Sequence, residues 1–154
     1  MAVKILIPYN FTPNDQKAIQ FVGQRYSQEE DVEITLFHAY SPVPEIDVKN
    51  DPIMGKMKAN VTYLRQQREE HKKAMETAKS HLVEYGFTSS QIHCVFQQVK
   101  TDVAADIIRM WKQEHFDVIV LNRNPGGILN YFSRSISKRI TQYNDGKIGV
   151  HIVN

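Results

Sequence analysis

Apolar and polar positions along this chain change period several times, and the changes mark its elements. Lys4-Ile5-Leu6-Ile7 is a continuous apolar run, the pattern of a strand buried on both faces. Pro8 cannot donate to a ladder, which ends the strand near it. Thr12-Pro13-Asn14-Asp15 reads as a helix start, with Thr12 as N-cap, Pro13 at the first helical position and Asp15 in the first turn. Ala18, Ile19, Val22 and Tyr26 follow at helical spacing, Glu29-Glu30-Asp31 breaks the pattern, and Val32 to Tyr40 is a second strand. That βαβ unit implies a parallel pair, whose crossover is nearly always right-handed.

Further along, Ser41 to Asn60 holds Pro42, Pro44, Pro52 and Gly55 and reads as a long connection, either a functional loop or a segment ordered by a partner. A long helix is predicted from about Val61 to Glu84, with Leu64, His71, Met75, Ala78, Leu82 and Tyr85 on one stripe and Gly86 as its stop. Ile92 to Val99 is a third strand. Thr101-Asp102 caps a helix carrying Ala104, Ile107, Ile108 and Trp111. A strand at Asp117–Leu121 leads into the loop Asn122-Arg123-Asn124-Pro125-Gly126-Gly127, a helix ending near Gln142, a turn at Asn144-Asp145-Gly146 and a last strand, Lys147–Val153. Five strands alternating with four helices predict one doubly wound α/β domain over residues 1–154.

Composition narrows the function classes. At 154 residues, with 42% hydrophobic and 23% charged residues, the chain can bury a full core and is not a disordered polymer. A net charge of +2 gives no reason to expect nucleic acid or a membrane surface as partner. The start of the chain carries no signal-peptide pattern, no apolar run is long enough to span a bilayer, and Cys94 stands alone. A cytoplasmic location is therefore expected.

The loop after the fourth strand is the place for candidate chemistry. A strand, a Gly-containing loop and a helix with Ser135 and Ser137 at its start can hold a phosphate, because backbone N–H groups and the helix dipole converge there. The order of elements and several motifs resemble the universal stress protein family over essentially the whole chain. Lys4-Ile5-Leu6-Ile7-Pro8-Tyr9-Asn10 is similar to the family's first strand, which usually ends in Pro-x-Asp. Ile34-Thr35-Leu36-Phe37-His38-Ala39 is similar to its second, Phe116-Asp117-Val118-Ile119-Val120-Leu121 to its fourth, and Gly126-Gly127-Ile128 through Ser135-Ile136-Ser137 to the approach to its last helix.

The resemblance implies a five-stranded parallel sheet with helices on both faces, of the adenine-nucleotide-hydrolase-like type. It also implies a choice, since some members bind ATP and others do not. Binders carry a Gly-x-x-Gly loop and a later Gly followed by Ser or Thr. Here Asn122 stands at the first glycine position, Asn124 or Pro125 at the second, and Arg134 at the third, while Ser135 matches the hydroxyl. The first-strand Asp that helps hold the nucleotide is Asn10, and Pro8 and Ala39 match positions lining the adenine pocket. Glycine lets the backbone approach a phosphate closely, and an arginine side chain at the third position competes for that space. Asn tolerates left-handed backbone, however, and Arg supplies charge. The reading favours no bound cofactor. The alternative is an ATP- or AMP-binding protein, or a slow ATPase, using Asn122, Asn124, Gly127, Arg134 and Ser135.

Other candidates have simpler readings. Arg123, Arg134, Lys138, Arg139 and Lys147 could hold an anion, but a solvated helix face is preferred. His38, at the carboxyl end of a strand, is preferred as a packed, hydrogen-bonded residue over a ligand contact. The remaining histidines show no metal-ligand spacing, Cys94 reads as a small buried hydrophobe, and no nucleophile–base–acid set is present. No catalytic or metal site is predicted, and a two-component receiver is excluded by the lack of an acidic pair after the first strand. The last strand, with Ile148, Val150 and Ile152, would form a sheet edge. The resemblance implies that it pairs with a second copy, so a homodimer acting as a stress-response regulatory or interaction module, with an unidentified protein partner, is expected.

Overall fold

A computed structural model describes residues 3–9, 11, 15–40, 52–122, 134–144 and 149–153; at 52–60, 122 and 134–137 only the backbone is described. Five strands, β1 (Val3–Pro8), β2 (Val32–Tyr40), β3 (Ile92–Gln98), β4 (Val118–Asn122) and β5 (Gly149–Val153), alternate with four helices, α1 (Asp15–Tyr26), α2 (Pro52–Glu84), α3 (Val103–Glu114) and α4 (Arg134–Asn144). The strands form one sheet in the order β3-β2-β1-β4-β5, and every pairing is parallel. The doubly wound α/β fold predicted from the apolar runs is therefore the fold observed.

Alternation along each strand builds two cores. Ile5, Ile7, Ile34 and Leu36 face Ala18, Ile19 and Val22 of α1 and Met75, Ala78 and Leu82 of α2. Leu6, Phe37, Ile119 and Leu121 face Ile107 and Trp111 of α3 and Ile140 of α4. Ile5, Leu6 and Ile7 have no exposed surface, as a central strand covered on both faces demands.

Local chemistry sets the helix ends. The Asp102 carboxylate accepts the Ala105 N–H at 2.8 Å and caps α3. Asp106, one turn later and buried, accepts from the Lys100 N–H at 2.8 Å and the Thr101 N–H at 3.3 Å, tying the approaching chain to the helix. At the other end, His115 adopts a left-handed cap and donates its N–H to the Trp111 carbonyl. Gly86 has φ +117°, which suits the glycine predicted to stop α2.

Several element boundaries depart from the sequence reading. The long helix starts at Pro52, not near Val61, so residues 52–60 are helical instead of part of the connection; proline is well suited to a first helical position. Its predicted apolar stripe also runs past the core. Met75, Ala78 and Leu82 are buried, whereas Leu64 and Tyr85 are exposed by more than a third. Finally, β4 extends through Asn122, and α4 continues to Asn144. Thr12, Pro13 and most of the Asn144-Asp145-Gly146 turn lie outside the described residues.

Candidate functional site at the carboxyl edge of the sheet

In the order β3-β2-β1-β4-β5, the chain leaves β1 for α1 on one face and leaves β4 for α4 on the other. That divergence makes a topological switch point, and ligands of open α/β sheets bind in the crevice at the carboxyl ends there. Pro8 is the last residue of β1, buried and in register with Phe37. Ala39 is buried near the end of β2, in the core shared with Leu6 and Phe37. Asn122 ends β4, in register with Val153. Arg134 and Ser135 are the first two residues of α4. The fold thus brings Pro8, Ala39 and Asn122 to one edge of the sheet. Asn10, Asn124 and Gly127 lie outside the described residues, as does Ile148, which the sequence reading put in the last strand.

Beside these positions stands a cluster that the sequence reading did not assemble. His38 is buried, and its Nδ1 lies 2.9 Å from the Tyr9 carbonyl oxygen. A carbonyl only accepts, so this contact requires the proton on Nδ1. Phe11 follows with a left-handed backbone, φ 61°. Its ring stacks on His71 of α2 at 4.0 Å between centroids and 6° between planes, and stands edge-on to His38 at 4.6 Å. Phe96 of β3 covers His38 at 5.3 Å, and Tyr40 stacks on Phe96. Arg68 and Lys72 of α2 lie over Tyr40 and Phe96 at 4.2 and 5.7 Å.

Burial dominates the protonation equilibria here. It pushes His38 down to about 4, assisted by nearby His71 and opposed by the Tyr9 carbonyl. His71 is also lowered by burial, against the pull of Glu70. The Tyr9 phenol, which takes a hydrogen bond from Gln16 at 3.3 Å, is raised to about 12 by burial and by Asp15. His38 is therefore the packed, hydrogen-bonded residue expected of it. His71 was legible only as part of a helical stripe, and Phe11 carried no sequence pattern at all.

Of the five basic residues proposed for an anion or a solvated face, the side chains of Lys138 and Arg139 are described, and that of Arg134 is not. Arg139 pairs with Asp102 at 3.0 Å, and Lys138 is exposed; Arg123 and Lys147 lie outside the described residues. A groove of about 290 Å³ runs between α1 and α2, lined by Gln16, Ile19, Gln20, His81, Glu84 and Tyr85. Among the described residues, no group of three or more His, Cys, Asp or Glu could hold a metal ion, and no helix is long and apolar enough to cross a membrane.

No protein-family model and no curated protein matches the chain. Solved structures do. A protein of the universal stress protein family from Burkholderia pseudomallei aligns with 97% of this chain and 94% of its own at 14% identity and a TM-score of 0.62. The universal stress protein from Archaeoglobus fulgidus in complex with dAMP aligns with 99% of this chain and 98% of its own at 12% identity and a TM-score of 0.61. A universal stress protein family protein from Arabidopsis thaliana with AMP bound aligns with 99% of this chain and 92% of its own at 15% identity and a TM-score of 0.56. Identities this low carry the architecture and leave the chemistry to this chain's own residues; the chain adopts the universal stress protein fold.

Proposed function

We propose that the chain is a universal stress protein that acts as a homodimeric regulatory or interaction module in the cytoplasm, without enzymatic activity and without tight ATP binding. The observation that carries this reading is the substitution of the phosphate loop: Asn122, Asn124 or Pro125, and Arg134 stand where the family's binders have glycines. A Cβ or longer side chain at each position keeps the backbone from closing on a phosphate. Two features support it. Pro8 and Ala39, the positions matching the adenine pocket, are buried within the monomer. The β5 edge leaves Ile152 exposed, which favours pairing with a second copy.

The AMP- and dAMP-bound neighbours favour the second reading, a nucleotide-binding protein or slow ATPase whose loop uses Asn122, Asn124, Gly127, Arg134 and Ser135. Calorimetry and thermal shift with ATP, ADP and AMP in the presence of magnesium separate the two. The first reading expects no response up to millimolar nucleotide. Micromolar binding that weakens in Arg134→Ala would establish the second.

A further inference from the structure

We propose that the groove between α1 and α2 binds a small organic ammonium ion, a cationic head carried on a short apolar stem. The groove shares no residue with Pro8, Ala39, Asn122, Arg134 or Ser135, so the inference is independent of nucleotide binding and of assembly.

Charge selects the ligand. Glu84 lines the groove with a carboxylate that enters no ion pair among the described residues. Neither lysine nor arginine is in the lining. Glu84 is also the last residue of α2, where the negative end of the helix dipole adds to its charge. An anion would meet both without a counter-charge, and a neutral ligand would leave both unanswered.

The other lining residues fit a cation with a stem. Gln16 donates its Nε2–H to the Tyr9 phenol at 3.3 Å, which leaves its amide oxygen to accept from an ammonium N–H. Ile19, only 2% exposed, offers apolar contact to the stem. The Tyr85 ring lies flat on α1, since a Cβ built at Gly23 would be 2.4, 2.5 and 2.6 Å from its Cγ, Cδ2 and Cδ1. Near-equal distances to these atoms put one face of the ring on Gly23. The opposite face carries no ring or cation among the described residues and can receive the ammonium head. At about 290 Å³ the groove stands at the lower end of ligand pockets, roughly 300–1,000 Å³, which limits its occupant to a small molecule.

Titration of the full chain with n-butylammonium chloride, followed through the backbone amide resonances by NMR, tests the site. The expected result is saturable shifts at Gln20, His81, Glu84 and Tyr85 with a Kd on the order of 1 mM. Sodium butyrate, with a similar stem and the opposite charge, should give no saturable shift at the same ionic strength. Glu84→Gln keeps the side chain's shape and removes its charge, so n-butylammonium should bind that variant about tenfold more weakly. Glu84 is exposed, so the exchange leaves the fold intact. Shifts that rise without saturating up to about 50 mM n-butylammonium would overturn the proposal. So would equal responses to butyrate, or an unchanged Kd in Glu84→Gln. The comparison of butylammonium with butyrate is made on the unaltered protein and decides the matter without any variant.

Discussion

A Cβ added at Gly23 of α1 would lie 2.4 Å from Cγ of Tyr85, just beyond the end of α2. Cγ is set by χ1, so clearing the new Cβ takes a change of rotamer of the whole ring and not a small shift of its far end. Alanine at a helix interior normally gains about 1 kcal/mol over glycine, whereas overpacking costs about 1–3 kcal/mol. Gly23→Ala should therefore lower stability by about 1 kcal/mol in urea unfolding. Combining it with Tyr85→Ala should recover the helix-propensity gain, and a double variant no better than the single one would show that the contact is not the cause.

Asp106 gives a second test. Its carboxylate is almost fully buried and takes the Lys100 and Thr101 N–H groups together with Arg109 at 3.1 Å. Hydrogen bonds to a charged group contribute about 1.5–3 kcal/mol each to stability when a partner is removed. Asp106→Ala should lose at least one such increment, because it also orphans two backbone donors. Asp106→Asn retains one acceptor oxygen and should lose less. Equal unfolding midpoints for the two variants would contradict this account.

The pH dependence of global stability follows from His38. Its folded value, about 4, lies below the ordinary 6.5, so the unfolded chain binds more protons between those limits. Stability is therefore full above about 6.5 and falls as the pH drops toward 4. Its limit is roughly 3 kcal/mol, at about 1.4 kcal/mol per unit of displacement. His71 is displaced in the same direction and adds to the slope. Asp102, held low by the Ala105 N–H and by Arg139, gives up its contribution only below the usual carboxylate value of 3.8. Chemical denaturation across this range should show a shallower decline in His38→Asn than in the unaltered chain, and parallel curves would remove His38 as the source.

How much of this was legible in the sequence depends on what each residue touches. Ile5-Leu6-Ile7 and Val118 to Leu121 announced themselves because strands covered on both faces need apolar side chains at every position. Helical periodicity likewise placed Met75, Ala78 and Leu82 against the sheet. It could not say where the sheet ends. At 33 residues α2 is about 50 Å long, at about 1.5 Å per residue, while β2 at nine residues is about 30 Å long, at about 3.3 Å per residue. The excess turns leave Tyr63 and Leu64 exposed whatever their period. The start at Pro52 was hidden by prolines and a glycine that resemble a loop. The Phe11–His71 stack was hidden more deeply, since it joins residues sixty positions apart through a backbone angle that no local pattern requires.

The β5 edge yields the last prediction, on assembly. In register with Leu121, Ile152 is 40% exposed, whereas Val150 packs partly into the core with Ile119 and Trp111. A lysine at position 150 would disturb the monomer's own packing as well as any interface, so dissociation of that variant would be ambiguous. Ile152→Lys places charge on the open edge, the device by which natural sheets refuse a neighbouring strand. If the proposed homodimer forms through β5, light scattering should give a dimer for the unaltered chain and a monomer for Ile152→Lys at the same concentration. The circular dichroism spectrum should be unchanged, because a side chain this exposed contributes little to the fold. A dimer that persists in Ile152→Lys would place the interface elsewhere on the molecule, and a monomer in both proteins would remove the homodimer from the proposed function altogether.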